Sequence, residues 1–213
     1  MVDHIKCVLV GDEGVGKTSL VISYTTNTFP GDFIPKVGDP CTSRIEMGIA
    51  NWDPILTLWD TRTSGDNHEQ LRPLSYPQTN VFLLCYSDRG SWESIKTKWH
   101  PEISHHCPGT PFLLVGTKKD WPDDADDALV AERKSEISAV HQVERERLAN
   151  KLGAFKSMEC SALTEQGLRS VFEEAAHAHR SHSMQPKSTK PKSKSVLPSF
   201  FSAGRRNGGK AED

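Results

Sequence analysis

Residues 5–18 read Ile5-Lys6-Cys7-Val8-Leu9-Val10-Gly11-Asp12-Glu13-Gly14-Val15-Gly16-Lys17-Thr18, and this stretch decides the fold. An apolar strand runs into Gly11, and Gly11 to Thr18 matches G-x-x-x-x-G-K-[ST], a loop that wraps phosphate groups. Helical spacing follows from Lys17 to about Asn27. Strand, glycine loop and helix are the context this chemistry needs. The glycines let backbone N–H groups converge on phosphate oxygens, and the helix N-terminus adds a favourable dipole. Gly14, Val15, Gly16 and Ser19 are the expected backbone cradle. Lys17 is placed to neutralise β- and γ-phosphates, and the Thr18 hydroxyl to ligate Mg²⁺. The plainer alternative is a glycine-rich strand–helix turn that holds nothing.

Working outward, the chain alternates short apolar runs with amphipathic stretches, the pattern of an α/β protein with a mostly parallel sheet. Ser43–Ile49 and Ile55–Trp59 flank the turn-rich Asn51-Trp52-Asp53-Pro54 and read as an antiparallel hairpin. Val81–Tyr86 and Phe112–Gly116 are continuous apolar runs, as in strands covered on both faces. Lys156–Cys160 is the last expected strand, and six strands in all are predicted. Helices are expected over Ser91–His105, Val143–Lys151 and Gly167–His179, with a short surface helix in the polar stretch between Trp121 and His141.

Three further segments fall at the ends of predicted strands, where ligands bind in such sheets. Asp60, closing Trp59-Asp60-Thr61, offers a carboxylate for Mg²⁺. Thr117-Lys118-Lys119-Asp120 follows the fifth strand, and Asp120 can accept from both the ring N–H and the exocyclic amine of guanine. Adenine presents neither donor in that arrangement, which opposes an ATP-dependent enzyme. Ser161-Ala162-Leu163 can supply a backbone N–H to the guanine oxygen.

With these residues in place, the sequence resembles the Ras superfamily of small GTPases and, within it, the Rho/Rac branch. The resemblance spans residues 4–178. It rests on Ile22-Ser23-Tyr24-Thr25-Thr26-Asn27, Leu71-Arg72-Pro73-Leu74-Ser75-Tyr76-Pro77-Gln78-Thr79, His105-His106-Cys107-Pro108 and Glu159-Cys160-Ser161-Ala162-Leu163. It implies a Ras-like P-loop fold with a Rho-type insert helix after Asp120, and a GTP/GDP switch requiring Mg²⁺. It also implies mobile loops near residues 29–41 and 60–77 that meet protein effectors and regulators, and Phe29 packed against the guanine. Cytoskeleton-regulating partners are those that the branch implies.

The departures from that family fall on the switch chemistry. Glu13 stands where glycine is usual, and Lys36 follows Pro35 where a threonine usually reaches the metal and γ-phosphate. After Asp60-Thr61 the chain reads Arg62-Thr63-Ser64 instead of Ala-Gly-Gln. Hydrolysis in this class is mainly positioning and electrostatic stabilisation, with a glutamine holding water in line. Ser64 is too short for that work, so no catalytic residue is assigned and slow turnover is expected. A Glu13 carboxylate about 4 Å from a phosphate oxygen meets repulsion of about 4 kcal/mol at an effective dielectric of 20. It otherwise turns to solvent or pairs with Lys36 or Arg62. A pseudoGTPase that binds partners without nucleotide cycling is the competing expectation.

Composition fits this picture. The chain has 213 residues and a net charge of −2, which weakly opposes a dedicated nucleic-acid binder. Residues 181–213 hold seven Lys/Arg and two acidic residues, while 1–180 hold 19 and 26. The expected division is therefore an acidic domain over 1–180 and a disordered basic tail. No cysteine follows Cys160, so no prenylation box is expected. Contact with an anionic membrane would then rest on charge, at about 1 kcal/mol per basic residue. Five cysteines and no signal-like opening favour a monomeric protein of the cytoplasm, at most peripheral to the inner membrane surface. Cys7, Cys85 and Cys160 read as core thiols, Cys41 as part of the first mobile loop, and Trp59 as a core residue. His105, His106, His177, His179 and His182 read as solvated.

Overall fold

A computed structural model describes residues 3–31, 41–44, 52–61, 71–87, 92–120 and 142–184. The expected insert helix, the 181–213 tail beyond residue 184, and Lys36, Arg62, Thr63 and Ser64 lie outside these residues. Strand β1 (His4–Val10) enters the phosphate loop, and helix α1 (Lys17–Thr26) leaves it. Strands β2 (Cys41–Arg44) and β3 (Ile55–Asp60) pair antiparallel, with Arg44 opposite Ile55 and Cys41 opposite Leu58. Cys41 thus opens a strand rather than sitting in a loop. Strand β4 (Val81–Ser87), helix α2 (residues 92–106), strand β5 (Phe112–Thr117), helix α3 (residues 142–152), strand β6 (Lys156–Glu159) and helix α4 (Leu168–Met184) follow. The last helix runs past the expected boundary at 180. Its apolar residues from Leu168 to Ala178 bury against the sheet, and its last turn, residues 181–184, continues exposed.

The strand order is β2-β3-β1-β4-β5-β6, in which β3, β1, β4, β5 and β6 run parallel and β2 lies antiparallel at one edge. Alternation along β1 explains the layering. Ile5, Cys7 and Leu9 face a core shared with Leu20 and Val21 of α1 and with Phe172 and Ala175 of α4. Val8 and Val10 face the opposite core, with Trp99 and Ile103 of α2 and Leu148 of α3. Helices therefore cover both faces, and β4 and β5 are apolar throughout because neither side meets water. Strand β1 lies between β3 and β4, so the connections diverge on either side of it and open a crevice at its carboxyl end. Gly11 occupies that point. A Cβ there would lie 2.1 Å from the Cys85 carbonyl oxygen, so only glycine lets the loop cross so close to β4.

Trp59 is half-buried beneath the Lys6 ammonium, 4.1 Å from its ring, rather than a core residue. His177 and His179 are half-buried too, and His177 faces Trp52 at 5.8 Å between ring centroids. His105, His106 and His182 are exposed as expected. Burial pushes the Cys7 and Cys85 thiols well above their ordinary value, which keeps them inert.

Helix α2 contains one wide turn. Its first residues, Trp92–Ser94, and its last, His100–His106, are α-helical, but Ile95–Trp99 form a π turn in which His100 N–H donates to the Ile95 carbonyl. Pro101, just beyond, has no N–H to give and crowds the carbonyl four residues back, a conflict a wider turn relieves. The same helix carries Glu102, which accepts from Arg72 at 2.8 and 2.5 Å and from the Tyr76 hydroxyl at 2.5 Å. Burial pushes the Glu102 carboxyl up, but the hydrogen bonds and charge of Arg72 and Tyr76 outweigh it and hold the group below 4.5. Such a carboxylate stabilises the fold fully above pH 4.5 and loses that contribution as pH falls through its folded pKa. Glu102→Gln is expected to lower the melting temperature near pH 7 and to make it fall less on acidification. Thermal unfolding from about pH 6 to about pH 3 checks this.

Candidate nucleotide site

The phosphate loop is held in shape by its own lysine. Lys17 is 6% exposed, and its Nζ donates to the carbonyls of Gly11 and Asp12, both at 2.7 Å. Those bonds tie the start of the loop to the first residue of the helix that follows it. Burial holds the Lys17 ammonium below the ordinary lysine value, with nearby Cys85, Asp60 and Asp12 partly opposing that shift. A phosphate dianion would add countercharge beside this ammonium. Gly16 has φ of 98°, which glycine takes without strain, and its carbonyl accepts the first helical bond of α1 from Leu20 N–H at 2.9 Å.

Beside the loop, the Thr18 hydroxyl donates to Asp60 Oδ2 at 2.5 Å. The other carboxylate oxygen, Asp60 Oδ1, is buried and has no hydrogen-bond partner among the described residues. A buried anionic oxygen left unpaired, next to a hydroxyl at a phosphate loop, is the donor set a hard divalent cation takes. Thr18 and Asp60 would hold it directly or through its waters, and the ion would supply charge neutralisation between β- and γ-phosphate oxygens. The two expected metal residues thus come together across 42 positions of sequence.

At the carboxyl ends of β1 and β5 a cavity of about 150 Å³ opens next to the loop. Gly16, Ser19 and Leu20 form one wall, Thr117, Lys118 and Asp120 another, and Ala162, Leu163 and Phe29 complete it. Thr117 ties the walls together, since its hydroxyl bonds to the Val15 carbonyl of the phosphate loop and lies 2.9 Å from the Tyr86 carbonyl of β4. Lys118 takes a left-handed conformation (φ 56°), and its stem lies 3.9 Å from where a Cβ on Gly16 would be. Lys119 N–H reaches the Cys160 carbonyl at 3.2 Å and joins this segment to the one after β6. Phe29 is 39% exposed, an apolar ring facing water at the cavity mouth. A larger cavity of about 360 Å³ lies at the other end of β5, near Phe112 and Cys107, and no residue of the phosphate loop, of Thr117–Asp120 or of Ser161–Leu163 lines it.

Two of the three residues after β6 meet the cavity. Ser161 does not: it is fully buried, its N–H donates to the Gln166 carbonyl at 2.9 Å, and its hydroxyl accepts from Thr164 N–H at 3.0 Å. Ser161 shapes the turn, and Ala162 and Leu163 face the ligand space. Leu20 is a wall residue missed in the sequence, although its place one helical turn after Gly16 was a signal for it. Glu13 is exposed at the tip of the loop. No cluster of three or more metal-ligating side chains occurs among the described residues, His105 to Cys107 included.

A mostly parallel α/β sheet with a phosphate loop at its switch point, a Thr18–Asp60 bond beside that loop and a cavity bounded by a carboxylate defines the fold of a P-loop nucleotide-binding protein. Residues 6–181 match the sequence model of the Ras family, and the chain belongs to that family of small GTP-binding switch proteins. Members of the family bind guanine nucleotide together with Mg²⁺. No helix among the described residues is long and apolar enough to cross a membrane.

Proposed function

We propose that the protein is an atypical Rho-branch switch that holds GDP or GTP with Mg²⁺ and hydrolyses GTP slowly. The observation that carries the reading is the cavity that brings Asp120, Lys118 and Phe29 against Gly16 and Ser19 of the phosphate loop. Its walls suit a planar base, and Asp120 accepts from two guanine donors that adenine lacks. Competition between GDP and ADP for the purified protein tests this, with GDP preferred by on the order of a thousandfold. Equal competition by ADP would overturn it.

The Rho assignment rests on the motif residues of the sequence, above all Leu71–Thr79 and His105–Pro108. Leu71 and Leu74 are 55% and 73% exposed, large apolar side chains within the 60–77 segment, as a partner-binding surface requires. Slow hydrolysis rests on Ser64 and Thr63 in place of glutamine and glycine. Replacing both, Ser64→Gln with Thr63→Gly, is expected to raise single-turnover GTP hydrolysis about tenfold or more, because water is then held in line. An unchanged rate would place the defect elsewhere. The basic residues after Met184 are consistent with weak, salt-sensitive contact with anionic lipid.

A further inference from the structure

The phosphate loop has a partner that its own motif does not provide. Trp99, 1% exposed on the π turn of α2, donates from its indole Nε1 to Asp12 Oδ1 at 2.9 Å. Asp12 is the residue whose carbonyl accepts from Lys17 Nζ at 2.7 Å. On the ring of the same tryptophan lies the Arg72 guanidinium, 4.5 Å from the ring, and Arg72 is clamped by both oxygens of Glu102. Arg72 directly follows the exposed Leu71 and opens the short turn Arg72–Ser75 that presents Leu74. A continuous line of contacts therefore runs from the exposed leucines through Arg72 and Trp99 to the loop and its lysine.

We propose that Trp99 is a positioning residue for the nucleotide: its indole bond to Asp12 holds the phosphate loop closed around Lys17, and Arg72 links that hold to the Leu71–Leu74 surface. The indole N–H to carboxylate bond is charge-assisted and largely shielded from water, conditions under which such a bond is strong. The π turn matters because it sets the rotation at which residue 99 leaves the helix. A partner that shifts Arg72 changes the pressure on the ring and, through Asp12, the grip on phosphate. By linkage, nucleotide occupancy changes that partner's affinity by the same factor.

This inference rests on the guanine-nucleotide reading, and one experiment separates the two. Release of a fluorescent GDP analogue is followed from the full chain, from Trp99→Phe, Asp12→Ala, Asp12→Asn and Glu102→Gln, and from the pairs Trp99→Phe/Asp12→Ala and Trp99→Phe/Glu102→Gln. Trp99→Phe keeps a ring under Arg72 but removes the donor, and it should speed release about tenfold. Asp12→Ala should do the same, the pair should be no faster than either alone, and Asp12→Asn, which keeps an accepting oxygen, should stay within about threefold of the parent. Glu102→Gln loosens Arg72 at a site remote from the nucleotide. It should speed release about threefold in the parent and not at all in Trp99→Phe. Asp12 is a half-buried loop residue, so its variants carry the test if Trp99→Phe does not fold. Parent-like release from Asp12→Ala, or additive effects in the pair, would overturn the proposal while leaving nucleotide binding intact. No uptake of the analogue by the parent chain would instead overturn the guanine reading, and this proposal with it.

Discussion

Asp120→Asn is expected to weaken GDP binding by on the order of a thousandfold while leaving the fold intact. Asp120 sits half-buried at the wall of the cavity, and in the proposed complex its carboxylate would replace water for two guanine donors. Each charge-assisted bond contributes about 1.5–3 kcal/mol, so losing the pair costs two or more factors of ten. Asparagine keeps the shape but offers one acceptor and one donor, so one guanine N–H faces another N–H. Xanthine, which has a carbonyl where guanine has its amine, restores the match. Titration calorimetry should show the variant preferring xanthosine diphosphate to GDP. A variant binding GDP as well as the parent would mean that the base lies elsewhere.

Lys17→Ala should abolish phosphate recognition with a loss of at least about a hundredfold in GDP affinity. The ammonium is buried, held below the ordinary lysine value by that burial, and bonded to two neutral carbonyls. Phosphate gains more from a shielded charge than from a solvated lysine. The variant also leaves the Gly11 and Asp12 carbonyls without their donor, which loosens the loop. Guanosine without phosphates should bind parent and variant about equally, because its contacts lie in the base cavity. If GDP affinity drops no more than guanosine affinity does, Lys17 is not the phosphate residue.

Much of this was legible in the order of residues. Strands β4 and β5 announce themselves as nearly unbroken apolar runs because both of their faces are covered. The meeting of Thr18 with Asp60 follows from the order of elements, since Thr18 opens α1 just after the phosphate loop and Asp60 closes β3, the strand beside β1. The extents of elements were less readable. Cys41 belongs to β2 through pairing with Leu58, a contact to a segment seventeen positions away that no local pattern encodes. The sequence does not say which residue of Ser161–Leu163 faces the cavity, because the Ser161 amide is taken by Gln166, five positions further on. Half-burial of Trp59 and His177 depends on Lys6 and Trp52, from other strands, lying over them. The bond between Trp99 and Asp12 spans 87 positions and depends on a π turn that helical periodicity does not show.

The central claim is that this chain holds a guanine nucleotide. Denaturing the purified protein and identifying what it releases by chromatography tests it most directly, paired with unfolding in added GDP and Mg²⁺. The account predicts released GDP or GTP in near-stoichiometric amount, and about 4 kcal/mol of stabilisation when free nucleotide stands about a thousandfold above its dissociation constant. No guanine nucleotide released, and unfolding unmoved by GDP or GTP with Mg²⁺, would contradict it.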